Sequence, residues 1–136
     1  MVTTNYARVH RLPPDLVPIS ISLYPPGWWS GRHLPALCPS AGFSSLTRDQ
    51  YDDAFRAQLA RLDADRLWCQ LNYGRVALVC YESPNVWCHR RMVAEWFERQ
   101  MGVEIPEFGF ARSACLPYYA LPTFAPEGDP RQLTLF

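Results

Sequence analysis

At 136 residues the chain has the length of one domain with one hydrophobic core, and a second domain is not expected. Thirteen basic residues balance thirteen acidic ones, which excludes a global field strong enough to recruit nucleic acid unaided. Five cysteines, an odd number, occur with no secretory leader and no apolar run of membrane-span length, so a reduced, cytoplasmic setting with no membrane partner is expected.

The first elements are loosely specified. Residues 1–14 are polar and aperiodic and read as a surface lead-in. In residues 16–23, Ile19, Ile21 and Leu23 alternate with Ser20 and Ser22, the pattern of a strand with one apolar face, and Tyr24-Pro25-Pro26-Gly27 stops it. Residues 28–40 are too punctuated by proline and glycine for a regular element and read as a long functional loop. Within it, Trp28 and Trp29 beside Arg32 and His33 suit stacking on a base or another planar ligand; the competing reading has a tryptophan roofing the core.

The centre is clearer. Thr47 and Gln50 have capping-box spacing, and Tyr51, Ala54, Phe55, Leu59 and Leu62 follow as one apolar stripe, which predicts a packed helix. Asp63 caps a shorter helix through Leu67 and Leu71, and Asn72-Tyr73-Gly74 turns the chain. Residues 76–81 are continuously apolar and predict a strand covered on both faces. After the break at Glu82-Ser83-Pro84-Asn85, Met92, Val93, Trp96 and Phe97 recur at helical spacing from about Trp87 to a stop at Gly102. Val103-Glu104-Ile105 predicts a further short strand, and periodicity is lost from Glu107. Residues 1–120 therefore read as a single compact α/β domain with loop-rich flanks, and residues 121–136 as a flexible tail.

Two motifs in that centre, Leu78-Val79-Cys80-Tyr81-Glu82 and Cys88-His89-Arg90 running on into Val93-Ala94-Glu95-Trp96, resemble the domain-of-unknown-function 488 family. Ser20-Ile21-Ser22, Gly31-Arg32 and Leu37-Cys38-Pro39-Ser40 are similar to its first strand and loop, so the likeness spans residues 17–106. It implies a Rossmann-like three-layer arrangement of sheet and helices, and no particular reaction.

The chemistry-bearing residues gather at the strand end and the helix start. Ligands of open α/β sheets bind beyond the carboxyl ends of the strands, where Cys80 is expected, and a helix N-terminus there favours an anion. Arg90, with Arg32, is expected to hold a phosphate or other anion, with Tyr24, Trp28 and Trp29 also lining the substrate side. Cys80, Cys88 or Glu82 would do nucleophilic or proton work, and His89 would orient or deprotonate that group. Against this stands the reading of Cys80 and Cys88 as small buried residues and of Arg91 as a solvated charge. A metal at Cys80, Cys88 and His89 with Cys38 or Cys115 is not expected, because adjacent Cys88 and His89 should diverge. No cofactor is indicated.

Gln132-Leu133-Thr134-Leu135-Phe136 resembles the peptide by which bacterial replication and repair proteins dock on the sliding clamp. Gln132 can pair at a pocket rim, Leu133 precedes the hydroxyl residue, and Leu135 and Phe136 are apolar anchors. The expectation is a bacterial or phage DNA- or nucleotide-processing hydrolase or transferase recruited through the clamp. The alternatives are a non-catalytic clamp-binding adaptor or inhibitor, and a redox or sulfur-handling protein marked by a low thiol pKa at Cys80 or Cys88.

Overall fold

The structure, a computed structural model, describes residues 1–123. Its centre is a four-stranded parallel sheet in the order β1-β4-β2-β3, formed by β1 (Val2–Asn5), β2 (Val17–Ser20), β3 (Arg32–His33) and β4 (Val76–Cys80). Strand β4 lies between β1 and β2, in register Val2 with Ala77 on one side and Val17 with Val76 on the other. Every residue of β4 is buried, as its unbroken apolar run requires of a strand covered on both faces.

Among the described residues three α-helices complete the α/β domain: α1 (Arg48–Ala60), α2 (Ala64–Gln70) and α3 (His89–Met101). Helix α1 starts where expected, since Thr47 Oγ1 accepts the Gln50 N–H at 3.2 Å and Gln50 Oε1 accepts the Thr47 N–H at 3.0 Å. Asp63 likewise caps α2 by accepting the Arg66 N–H at 3.1 Å. Helix α3 ends at Gly102, whose φ of 66° is left-handed and whose N–H reaches the Glu98 carbonyl. The turn before β4 needs glycine more strictly: Gly74 has φ +85°, and a Cβ there would sit 2.5 Å from the Trp68 ring. Phe55, Leu59, Val93 and Phe97 pack with Ile19, Ile21, Leu78 and Ile105 in one core. No described helix is long and apolar enough to cross a membrane.

Four expectations are corrected. The start of residues 1–14 is no surface lead-in: Thr3, Thr4 and Asn5 of β1 are buried, and threonine conceals the strand because its β-branched body favours a sheet while its hydroxyl reads as polar. Ser20 and Ser22 do not face solvent; both are buried, and the Tyr6 hydroxyl lies 2.6 and 3.1 Å from their oxygens. The stretch after Trp28 contains a regular element, the short edge strand β3, held to β2 by the Leu34 N–H bond to the Ser20 carbonyl. Val103-Glu104-Ile105 forms no strand; beyond it, a single bridge joins Thr3 to Glu107, with Thr3 N–H to Pro106 O at 3.0 Å and Phe108 N–H to Thr3 O at 2.7 Å.

From Glu107 to the end of the described residues the chain carries two short 3-10 turns, Arg112–Ala114 and Tyr118–Ala120, and no α-helix or strand. Cys115, Tyr118 and Leu121 are buried, Trp87 Nε1 donates to the Tyr118 hydroxyl at 2.6 Å, and the Trp87 N–H donates to Pro122 O at 2.8 Å. The clamp-like residues Gln132, Leu133, Leu135 and Phe136 lie outside the described residues.

Candidate functional site

Cys80 is the last residue of β4, Cys88 the N-cap of α3 and His89 its first residue, so the loop between them folds the helix start back over the strand end. The expected divergence of Cys88 and His89 is corrected here. Cys88 has extended backbone (φ −158°, ψ 140°) whereas His89 is already helical, and this change of conformation turns both side chains toward Cys80. The Cys80 and Cys88 sulfurs and an imidazole nitrogen of His89 lie within 4.8 Å of one another.

The imidazole is fixed in one tautomer. His89 Nε2 stands 2.7 Å from the Ile21 carbonyl oxygen, which can only accept, so Nε2 carries the proton. In the neutral ring Nδ1 is then unprotonated, and it faces Cys80 Sγ at 3.8 Å and Cys88 Sγ at 4.0 Å, with the Phe55 ring packed edge-on against the imidazole at 5.3 Å. Ser22 Oγ donates to Cys80 Sγ at 3.3 Å.

The two thiols are held in different states. The Cys88 thiol bonded to it pulls the Cys80 pKa down to about 7; burial opposes this, and the Arg90 charge, the Ser22 hydroxyl and the Tyr81 backbone assist. Burial, followed by the bond to Cys80, pushes Cys88 upward. Of the two thiols, Cys80 is therefore the more readily ionised.

Arg90 is not the anion receptor expected of it. It is 2% exposed, and its Nε and Nη2 bond both carboxylate oxygens of Glu107 at 3.1 and 2.8 Å, while Thr3 Oγ1 donates to Glu107 Oε1 at 2.6 Å. The cavity lined by Cys88, Arg90, Arg91 and Glu107 measures about 10 Å³, room for one water and not for a phosphate. Arg91, expected in solvent, is buried, with Nη2 donating to the Ile105 carbonyl. Arg90 still acts on the site at a distance, because its charge favours both thiolates.

The remaining predicted residues surround this centre without joining it. Glu82 is exposed on the loop, and Arg32 is exposed on β3. Tyr24 and Trp28 are exposed, at 73% and 63%, whereas Trp29 is half-buried with Nε1 donating to the Arg32 carbonyl at 3.0 Å. Trp28, Trp29 and Tyr81 all pack on Tyr6, at ring separations of 5.9, 5.3 and 4.7 Å, and the Tyr81 hydroxyl donates to the Tyr24 carbonyl. An aromatic surface thus stands beside Ser22, the serine that meets Cys80.

Sequence reasoning missed Ser22, Tyr6 and the His33 contact. His33 Nε2 lies 2.9 Å from Ser22 O and 3.2 Å from Cys38 Sγ, and burial raises the Cys38 thiol to about 11. The alternation of Ser20 and Ser22 with Ile19, Ile21 and Leu23 was the available signal for Ser22. Neither Cys38 nor Cys115 joins the three ligand atoms among the described residues.

The cluster can act chemically as an anionic sulfur with an imidazole acceptor, as a dithiol, or as ligands of a soft cation. No family model, curated protein or solved structure matches the chain.

Proposed function

We propose that the chain is a DNA- or nucleotide-processing hydrolase or transferase whose reacting centre is Cys80, Cys88 and His89, recruited to DNA by a bacterial sliding clamp through Gln132, Leu133, Leu135 and Phe136. The observation that carries the reading is the convergence of two sulfurs and a bare Nδ1 beyond the carboxyl end of β4. Exposed Tyr24 and Trp28 offer π-faces for an unpaired base, and Arg32 a cation for its phosphate. The resemblance to the domain-of-unknown-function 488 family, with the Rossmann-like architecture it implies, belongs to the same proposal.

A clamp tether fits a chain with no net charge, because local concentration replaces electrostatic affinity for DNA. Calorimetry of the protein with a bacterial sliding clamp, beside a chain lacking residues 132–136, tests recruitment. Binding that vanishes with those residues is expected; binding that survives their loss, or no binding by either chain, overturns it. In assays of DNA processing, Cys80→Ser and His89→Asn should abolish turnover while leaving clamp binding intact. If they are silent and the shortened chain alone loses its effect, the protein is a non-catalytic adaptor or inhibitor. A redox reading draws on the Cys80 thiol lowered to about 7 beside a protonated Cys88, and a reversible Cys80–Cys88 disulfide without DNA-linked turnover would favour it.

A further inference from the structure

We propose that Cys80, Cys88 and His89 bind one thiophilic divalent cation, for which zinc is the fitting example, with a fourth coordination position left to a non-protein ligand. The inference rests on the same three residues as the reacting centre but assigns their sulfurs to a cation instead of to covalent chemistry.

Distances support it first. Tetrahedral zinc with two sulfurs and one imidazole needs S···N separations of about 3.5 Å and an S···S separation of about 3.8 Å. The sulfurs stand 3.8 and 4.0 Å from Nδ1, with all three atoms inside 4.8 Å, so small side-chain rotations close the site. The imidazole needs no rearrangement. Metal-binding histidines commonly donate their other ring N–H to a carbonyl or carboxylate, which fixes the tautomer and aims the lone pair. The 2.7 Å bond from His89 Nε2 to Ile21 O supplies that partner, and the Ser22 hydroxyl supplies one to the Cys80 sulfur.

Charge is the second argument. Binding follows Zn²⁺ + 2 Cys–SH → Zn(S–Cys)₂ + 2 H⁺, so the occupied core is neutral. The nearby Arg90 is already balanced by Glu107, and a neutral centre adds no uncompensated charge to a buried region. The third argument is the ligand count. Among the described residues no further cysteine, histidine or carboxylate joins the cluster, and three protein ligands with one open position are the pattern of a catalytic site, not of a closed structural one.

The test titrates the full reduced chain with cobalt(II), read by thiolate-to-cobalt charge transfer and tetrahedral d–d absorption, and then with zinc against a chromogenic chelator. One equivalent per chain is expected. Cys80→Ser and Cys88→Ser should each weaken affinity by at least about 100-fold, the upper end of what loss of an outer-shell partner costs, whereas Cys38→Ser and Cys115→Ser should retain the full signal. Circular dichroism of each metal-free variant checks folding. A second readout needs no variant: zinc should protect Cys80 and Cys88, but not exposed Cys69, from alkylation. Binding no tighter than that of the Cys80→Ser, Cys88→Ser double variant, or equal loss in Cys38→Ser, overturns the site. The two readings fail separately. DNA processing without cobalt binding tighter than that of the double variant removes the metal site and leaves the proposed function, whereas stoichiometric cobalt binding without DNA processing does the reverse.

Discussion

His89 and Arg90 are neighbours at the start of α3 and both are buried, yet they serve opposite ends. His89 directs an unprotonated nitrogen at two sulfurs and keeps its bonding capacity open on that side. Arg90 commits Nε and Nη2 to Glu107, which Thr3 also holds, so that α3, β1 and the segment after Pro106 are fastened together, while its Nη1 is buried with no hydrogen-bond partner among the described residues. A charged residue beside a reactive centre therefore need not touch what the centre binds. Arg90 tunes the sulfurs through its field and otherwise holds the fold.

This division can be broken most strongly at Glu107. Glu107→Ala leaves the Arg90 guanidinium buried without its carboxylate, and urea denaturation should show a loss of about 3–5 kcal/mol. Arg90→Met combined with Glu107→Leu should recover most of that loss, because it removes both charges together. Full stability in Glu107→Ala would mean that Arg90 is free for another partner.

A smaller effect sharpens the fastening side of the comparison. Glu98 accepts from Arg112 Nε at 2.7 Å and from the Ile105 N–H at 2.7 Å. Burial acts to raise its pKa, but these bonds and the charges of Arg91 and Arg112 outweigh burial and leave it depressed. A depressed carboxylate contributes stability above its unfolded pKa and loses it as pH falls through the folded value. Glu98→Gln should cost about 1 kcal/mol at neutral pH, and the gap from the parent protein should close as the solution is acidified below the ordinary carboxylate range. A gap unchanged by acid would contradict the assignment.

The last change belongs to the cluster itself, where Cys88→Ala should cost about 0.5–1 kcal/mol in stability. Its chemical effect should be the largest of the three, since it removes the donor that favours the Cys80 thiolate. Alkylation of Cys80 across pH should show its midpoint move upward from about 7 in Cys88→Ala.

Local rules revealed much of this molecule. The box at Thr47 and Gln50, the cap at Asp63, the stop at Gly102 and the apolar run of β4 each announce themselves within a few residues. Long-range partners did not. Arg90 and Glu107 meet across 17 positions, and Thr3 and Glu107 across 104, so nothing in either neighbourhood marks the arginine as occupied. Thr3 hid β1 for a related reason, because its hydroxyl finds a buried acceptor that only the fold supplies. The three cluster residues were legible as a group, but their convergence was not. It depends on a single backbone change between Cys88 and His89, which residue spacing alone cannot express.

The measurement that tests the centre most directly is the tautomer of His89, read from long-range proton–nitrogen correlation spectra of the reduced, metal-free protein at neutral pH. The expected result is a proton on Nε2 and an unprotonated Nδ1 whose resonance moves when zinc is added. A neutral ring protonated on Nδ1 alone would break the bond to the Ile21 carbonyl, and a proton on Nδ1 in either ring form would point a donor at the two sulfurs and contradict the account.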